Sequence, residues 1–142
     1  MTQEISTISW DECLRSLQTI LPEVRSLGLD EINRAMEQQG YKFQWNKLAD
    51  WEHLDDIAIF QKSFGQNVIQ GSAEGILIPW LCFWGKHLPF FVDGNRLEEF
   101  VKSFSEKYGE CFFNGDTIIF FQSIKTIFLF SHDGMYVRVE VS

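Results

Sequence analysis

The chain has 142 residues, 45% of them apolar and 23% charged, which is the composition of one ordinary globular domain over residues 1–142 and not of a disordered segment. With 12 Lys and Arg against 20 Asp and Glu the net charge is -8, so nucleic acid and anionic membrane surfaces are disfavoured as partners and a basic protein is favoured. The first ten residues lack the basic start and apolar core of a signal peptide, and the longest apolar run, Ile76 to Trp84, falls well short of the ~20 residues that span a membrane.

Cytoplasm is the expected address. Cys13, Cys82 and Cys111 are far apart, form no CxxC and each lie beside apolar residues. They read as buried free thiols in a reducing compartment, not as a disulfide framework. The acids are concentrated in residues 1–60, which carry a net charge of -6 and leave -2 for the remainder.

Ser9-Trp10-Asp11-Glu12 has the form of a capping box, and Cys13, Leu14, Leu17, Ile20, Leu21 and Val24 follow at helical spacing. Pro22 should bend or end this helix near Leu21. A second helix is expected over Asp30 to Gln39, with Gly40 as its stop. Tyr41 to Trp45 alternates at period two and predicts a half-buried strand. Residues 47–64 fit either a helix or a short strand. Gly71 to Gly75 reads as a loop. Ile76 to Trp84 reads as a strand covered on both faces, with Pro79 marking an edge or a bulge, and Leu88 to Val92 as its partner.

The clearest helix runs from Asn95 to Tyr108, with Asn95 as its cap, Leu97, Phe100, Val101 and Phe104 as its buried stripe, and Gly109 as its end. We expect that stripe to pack on a C-terminal meander of four strands, Cys111 to Phe113, Thr117 to Gln122, Thr126 to Phe130 and Met135 to Val141. Asn114-Gly115 and Asp133-Gly134 suit type I′ hairpin turns. The fold class is therefore α+β: N-terminal helices, then a mostly antiparallel sheet with one inserted helix and a C-terminal β-meander.

No catalytic residue and no metal ligand set emerges. His53, His87 and His132 make no paired-ligand spacing with one another or with the cysteines. Gly71-Ser72-Ala73-Glu74-Gly75 fails the spacing of a nucleophile elbow, and the chain has no glycine-rich phosphate loop. The adjacent carboxylates Asp55-Asp56 and Glu98-Glu99 read as solvated faces. No cofactor is expected. Two interaction features remain. Asp50, Glu52, Asp55 and Asp56 surround Trp51 within seven residues, a pattern that suits acidic steering around an aromatic anchor. The alternative is that Trp51 is core and the acids are its wet side. Trp80, Trp84, Phe90 and Phe91 could be core, or could line a pocket or a second interface.

The turns Asn114-Gly115-Asp116-Thr117 and Ser131-His132-Asp133-Gly134, within residues 88–142, resemble those of small acidic immunity proteins of bacterial polymorphic-toxin and contact-dependent growth inhibition systems. That resemblance implies a non-enzymatic protein that binds and neutralises a cognate toxin, often a nuclease, and it transfers no individual binding residue. The runner-up is a small-molecule-binding domain with an aromatic-lined pocket, and an enzyme comes third.

Overall fold

The computed structural model describes residues 6–64, 73–84 and 87–141. Its α+β architecture is the one expected, with helices first and a meander last. The sheet is antiparallel throughout, in the order β1-β4-β3-β5-β6-β7-β2. Its strands are β1 (Ser6–Thr7), β2 (Asn46–Lys47), β3 (Glu74–Ile78), β4 (Phe90–Asp93), β5 (Thr117–Phe121), β6 (Thr126–Phe130) and β7 (Met135–Glu140). The helices are α1 (Trp10–Gln18), α2 (Leu29–Gln38), α3 (Asp56–Ile59), α4 (Trp80–Phe83) and α5 (Leu97–Tyr108).

Ser9 caps α1, its hydroxyl accepting from the Glu12 N–H at 3.1 Å. The helix stops at Gln18, before the expected Leu21. Pro22 explains this, because a proline ring collides with the carbonyl four residues earlier, here that of Gln18. Ile20, Leu21 and Val24 are still buried, carried inward by successive turns.

Three predicted strands are corrected. Tyr41 to Trp45 alternates between half-buried and exposed as expected, yet it does not form a strand. Trp45 is held instead by α2, its indole N–H donating to Asn33 Oδ1 at 3.0 Å. Only Asn46 and Lys47 reach the sheet. The run from Ile76 ends as a strand at Ile78, and Pro79 opens the short helix α4. A proline has no N–H for the ladder of a strand paired on both sides, and its fixed φ suits entry into a helix. Cys111 to Phe113 forms a turn. Gly75 belongs to β3 and not to a loop, and a Cβ there would collide with the Phe121 ring, so the close approach of β3 and β5 requires glycine. Gly71 and Ser72 lie outside the described residues.

Strand alternation sorts the core into two faces. Phe90, Leu77, Ile119 and Phe128 share one face, as their cross-strand register requires. α5 covers part of it through Phe100 and Phe104, whose rings lie 5.2 and 6.0 Å from that of Phe90. Helix α5 thus packs Phe100 and Phe104 on β4 and on Phe112, which lies in a turn and not in the first strand of the expected meander. Its predicted cap also fails: Asn95 lies in a 3-10 turn, and no side chain caps the helix. Phe64, in a π-turn after α3, fills the neighbouring area against Phe121 and Phe128. The opposite face carries Ile76, Ile78, Ile118, Phe120, Ile127, Leu129, Val137 and Val139, all buried. The buried stripes of α1 and α2 (Cys13, Leu17, Ile32, Ala35 and Met36) belong to the same hydrophobic core.

Both expected hairpin turns differ in type. Gly115 has no positive φ and lies between the Phe112 turn and β5, so Asn114-Gly115 joins no two strands. Asp133-Gly134 does close the β6–β7 hairpin, but only Gly134 has positive φ, at 80°. A type I′ turn needs both. The loop is the longer form with glycine at its last, left-handed position, and Ser131 N–H bonds Met135 O across it at 2.8 Å.

Candidate interaction surface

Asp50 stands in a left-handed conformation at φ 56° and starts a 3-10 turn over Trp51–His53. The turn lays the half-buried Trp51 ring edge-on against Phe130, with centroids 5.3 Å apart. The same ring rests on Gly134, where a Cβ would collide with it. Trp51 is therefore a staple between this loop and the β6–β7 turn. Asp50, Glu52 and Asp55 remain exposed around it.

Asp55 and Asp56 diverge completely. Asp55 caps α3, its Oδ1 accepting from the Ala58 N–H at 2.9 Å. Asp56 is buried. Its two oxygens accept from the N–H groups of Phe112 at 2.7 Å and Phe113 at 3.1 Å. Asp56 is thus removed from the predicted acidic rim, because its carboxylate is spent on the chain's own backbone. Burial pushes its carboxyl above the ordinary value, against the lowering effect of the two N–H bonds, and nearby Asp55 adds to the rise.

Three acids that the local sequence pattern did not select lie at the same end of the molecule. Asp116 Oδ1 accepts from the backbone N–H of His132 at 2.9 Å and lies 2.9 Å from its ring Nδ1. Asp133 is 3.6 Å from the other ring nitrogen. The hydrogen bond to Asp116, the charges of Asp116 and Asp133, and the more distant charge of Asp30 all raise the His132 pKa above its ordinary value. Acids from the start of α2, the Trp51 loop, the segment before β5 and the β6–β7 turn therefore converge. The turns Asn114-Gly115-Asp116-Thr117 and Ser131-His132-Asp133-Gly134 meet through Asp116 and His132, a contact that no local spacing in the sequence signals.

A hollow of about 160 Å³ adjoins the Trp51 loop, lined by Trp51, Leu54, Ile59 and Phe113 with Glu52, Asp56, Cys111 and Asn114 at its polar side. Cys111 is exposed, not buried as expected. Its thiol is held above the ordinary value by partial burial and by the charges of Asp56 and Glu110, the opposite of what activates a nucleophile. Cys13 and Cys82 are buried, and burial pushes both thiols up to about 12.

The four other aromatics do not line one pocket. Phe90 and Phe91 are consecutive strand residues and point to opposite faces. Phe90 is core against α5, whereas Phe91 borders a separate hollow of about 220 Å³ with Glu74, Ile76, Gln122 and Ser123. Trp80 lies over Gly115, and Trp84 stands edge-on to it at 5.7 Å with 63% of its surface exposed.

Among the described residues, no group of three His, Cys, Asp or Glu is placed to hold a metal ion. No helix among them is long and apolar enough to cross a membrane. No family model matches the chain, and no curated protein or solved structure is significantly similar to it.

Proposed function

We propose that the chain is a non-enzymatic immunity protein that binds a cognate toxin domain in the cytoplasm and neutralises it by covering a basic surface. The observation that carries this reading is the convergence of Asp30, Asp50, Glu52, Asp55, Asp116 and Asp133 from four segments, held together by the Trp51–Gly134 and Asp116–His132 contacts. Exposed acids of this kind act first on association, because they attract a basic partner before contact. The Trp51 ring holds this surface in shape instead of standing out as a free anchor. The rigid Trp51 staple fixes the acids before binding, so less conformational entropy is lost in the complex. The chemistry of a nuclease suits such a partner, since a surface built for phosphate is basic.

The test is to express the product of the neighbouring reading frame with and without this chain. Growth arrest by that product alone, relieved by the chain and by direct binding between the two purified proteins, is the expected result. Arrest that persists with folded chain present, or no binding at micromolar concentration, contradicts the reading.

A further inference from the structure

Among the described residues, β7 is paired along only part of its outer side. β2 pairs only with Met135 and Tyr136, and among the described residues no strand flanks β7 from Val137 to Glu140 on that side. Which backbone groups point outward follows from the hydrogen-bonded pairs of the β6–β7 ladder. Ser131 N–H bonds Met135 O, and Val141 N–H bonds Lys125 O, each at 2.8 Å. Bonded pairs alternate in an antiparallel ladder, so Met135, Val137, Val139 and Val141 turn their backbone groups toward β6. Tyr136, Arg138 and Glu140 turn theirs outward, and Tyr136 faces Asn46 of β2. Among the described residues, no strand takes up the two N–H and two C=O groups that Arg138 and Glu140 turn outward.

We propose that this edge pairs with the same edge of a second copy of the chain, antiparallel about a two-fold axis at Val139. Only outward-facing residues can form the bonded pairs, which restricts the symmetric registers to those centred on Arg138, Val139 or Glu140. A centre at Arg138 places two arginines opposite each other, and a centre at Glu140 places two glutamates opposite each other. Like charges directly opposed across strands are destabilising. A centre at Val139 places Arg138 opposite the other copy's Glu140, twice, and provides four backbone hydrogen bonds. Arg138 Nη2 and Glu140 Oε1 already lie 3.0 Å apart on the same exposed face, with side chains 37% and 72% exposed. The paired edge would therefore carry an alternating square of four charges. The inward residues at this edge, Val137, Val139 and Val141, are buried in each copy's own core. A charged edge normally discourages pairing with arbitrary strands. Here the charges select one partner and one register, and the interface is isologous, as two-fold symmetry requires.

Sedimentation equilibrium at physiological salt tests this, where the net charge of -8 on each copy is screened beyond ~8 Å but the contact pairs are not. The chain should dimerise reversibly at concentrations on the order of 100 µM, as suits a small interface. Arg138→Glu and Glu140→Arg should each weaken the homodimer at least tenfold, with unchanged circular dichroism. An equimolar mixture of the two variants should recover dimer to within about threefold of the original, because each opposed pair is again of opposite sign. Glu140→Arg also lowers the net negative charge, so a general relief of repulsion would strengthen its dimer and not weaken it. A chain that stays monomeric at ~500 µM overturns the proposal. So does a dimer insensitive to either variant, or a mixture that does not recover.

Discussion

Asp56 joins the Trp51 loop to a turn more than fifty residues later, and its removal should loosen both. Its carboxylate accepts the buried N–H groups of Phe112 and Phe113 at 2.7 and 3.1 Å. These two phenylalanines pack against Phe104 and Phe130, at 5.2 Å in each case. A buried donor left without a partner costs about 1–3 kcal/mol. Asp56→Ala leaves two, offset in part because a buried carboxylate no longer has to be desolvated. The net loss should be about 2–5 kcal/mol, a large share of the ~5–15 kcal/mol that stabilises a typical domain. Asp56→Asn keeps one acceptor oxygen and should cost about 1–3 kcal/mol. Burial raises the carboxyl pKa of the folded state, so the folded protein holds this proton more tightly than the unfolded chain does. The contribution of that linkage is full below the ordinary value of 3.8 and is lost as pH rises through the raised one. The stability advantage of the original chain over the non-titrating Asn variant should therefore shrink across that window. Urea unfolding at several pH values, with hydrogen exchange at the Phe112 and Phe113 amides, measures both effects. An Asp56→Ala variant within about 0.5 kcal/mol of the original, with both amides still protected, would refute the clamp.

Three further outcomes follow from the same packing. Phe104→Ala empties a site shared with Phe90, Phe100, Tyr108 and Phe112, and should cost about 3–5 kcal/mol by urea unfolding. Gly134→Ala places a Cβ against the Trp51 ring at φ 80°, so it should destabilise by more than ~1 kcal/mol and change Trp fluorescence. Asp116→Asn removes the main cause of the raised His132 pKa, which should return toward 6.5 in an NMR titration. The protonated His132 stabilises the fold below 6.5, and that contribution is lost as pH rises through the raised value, so the variant should flatten this pH dependence.

Elements whose logic is local were legible in the sequence. The stripe Leu97, Phe100, Val101 and Phe104 with Gly109 behind it marks α5, and Val137 and Val139 alternating with Arg138 and Glu140 mark the half-buried β7. Elements decided by distant partners were not. Tyr41 to Trp45 has strand alternation, but its neighbour is α2 and not a ladder. Cys111 to Phe113 has strand composition, but Asp56 holds its backbone in a turn. The site divides in the same way. Trp51 and its exposed acids were visible as a local cluster. The burial of Asp56 and the addition of Asp30, Asp116 and Asp133 depend on contacts across the fold that no local spacing encodes.

The association kinetics of the complex test the central claim most directly. The product of the neighbouring reading frame serves as partner, and the chain carries Asp50→Asn, Glu52→Gln, Asp55→Asn and Asp133→Asn together. Electrostatic steering predicts that the association rate of the original chain falls steeply as salt rises from about 50 to 500 mM, and that the quadruple variant starts about tenfold slower at low salt with a much flatter dependence. Equal association rates for the two proteins at low salt, with the fold of the variant intact, would contradict the acidic end as the recognition surface.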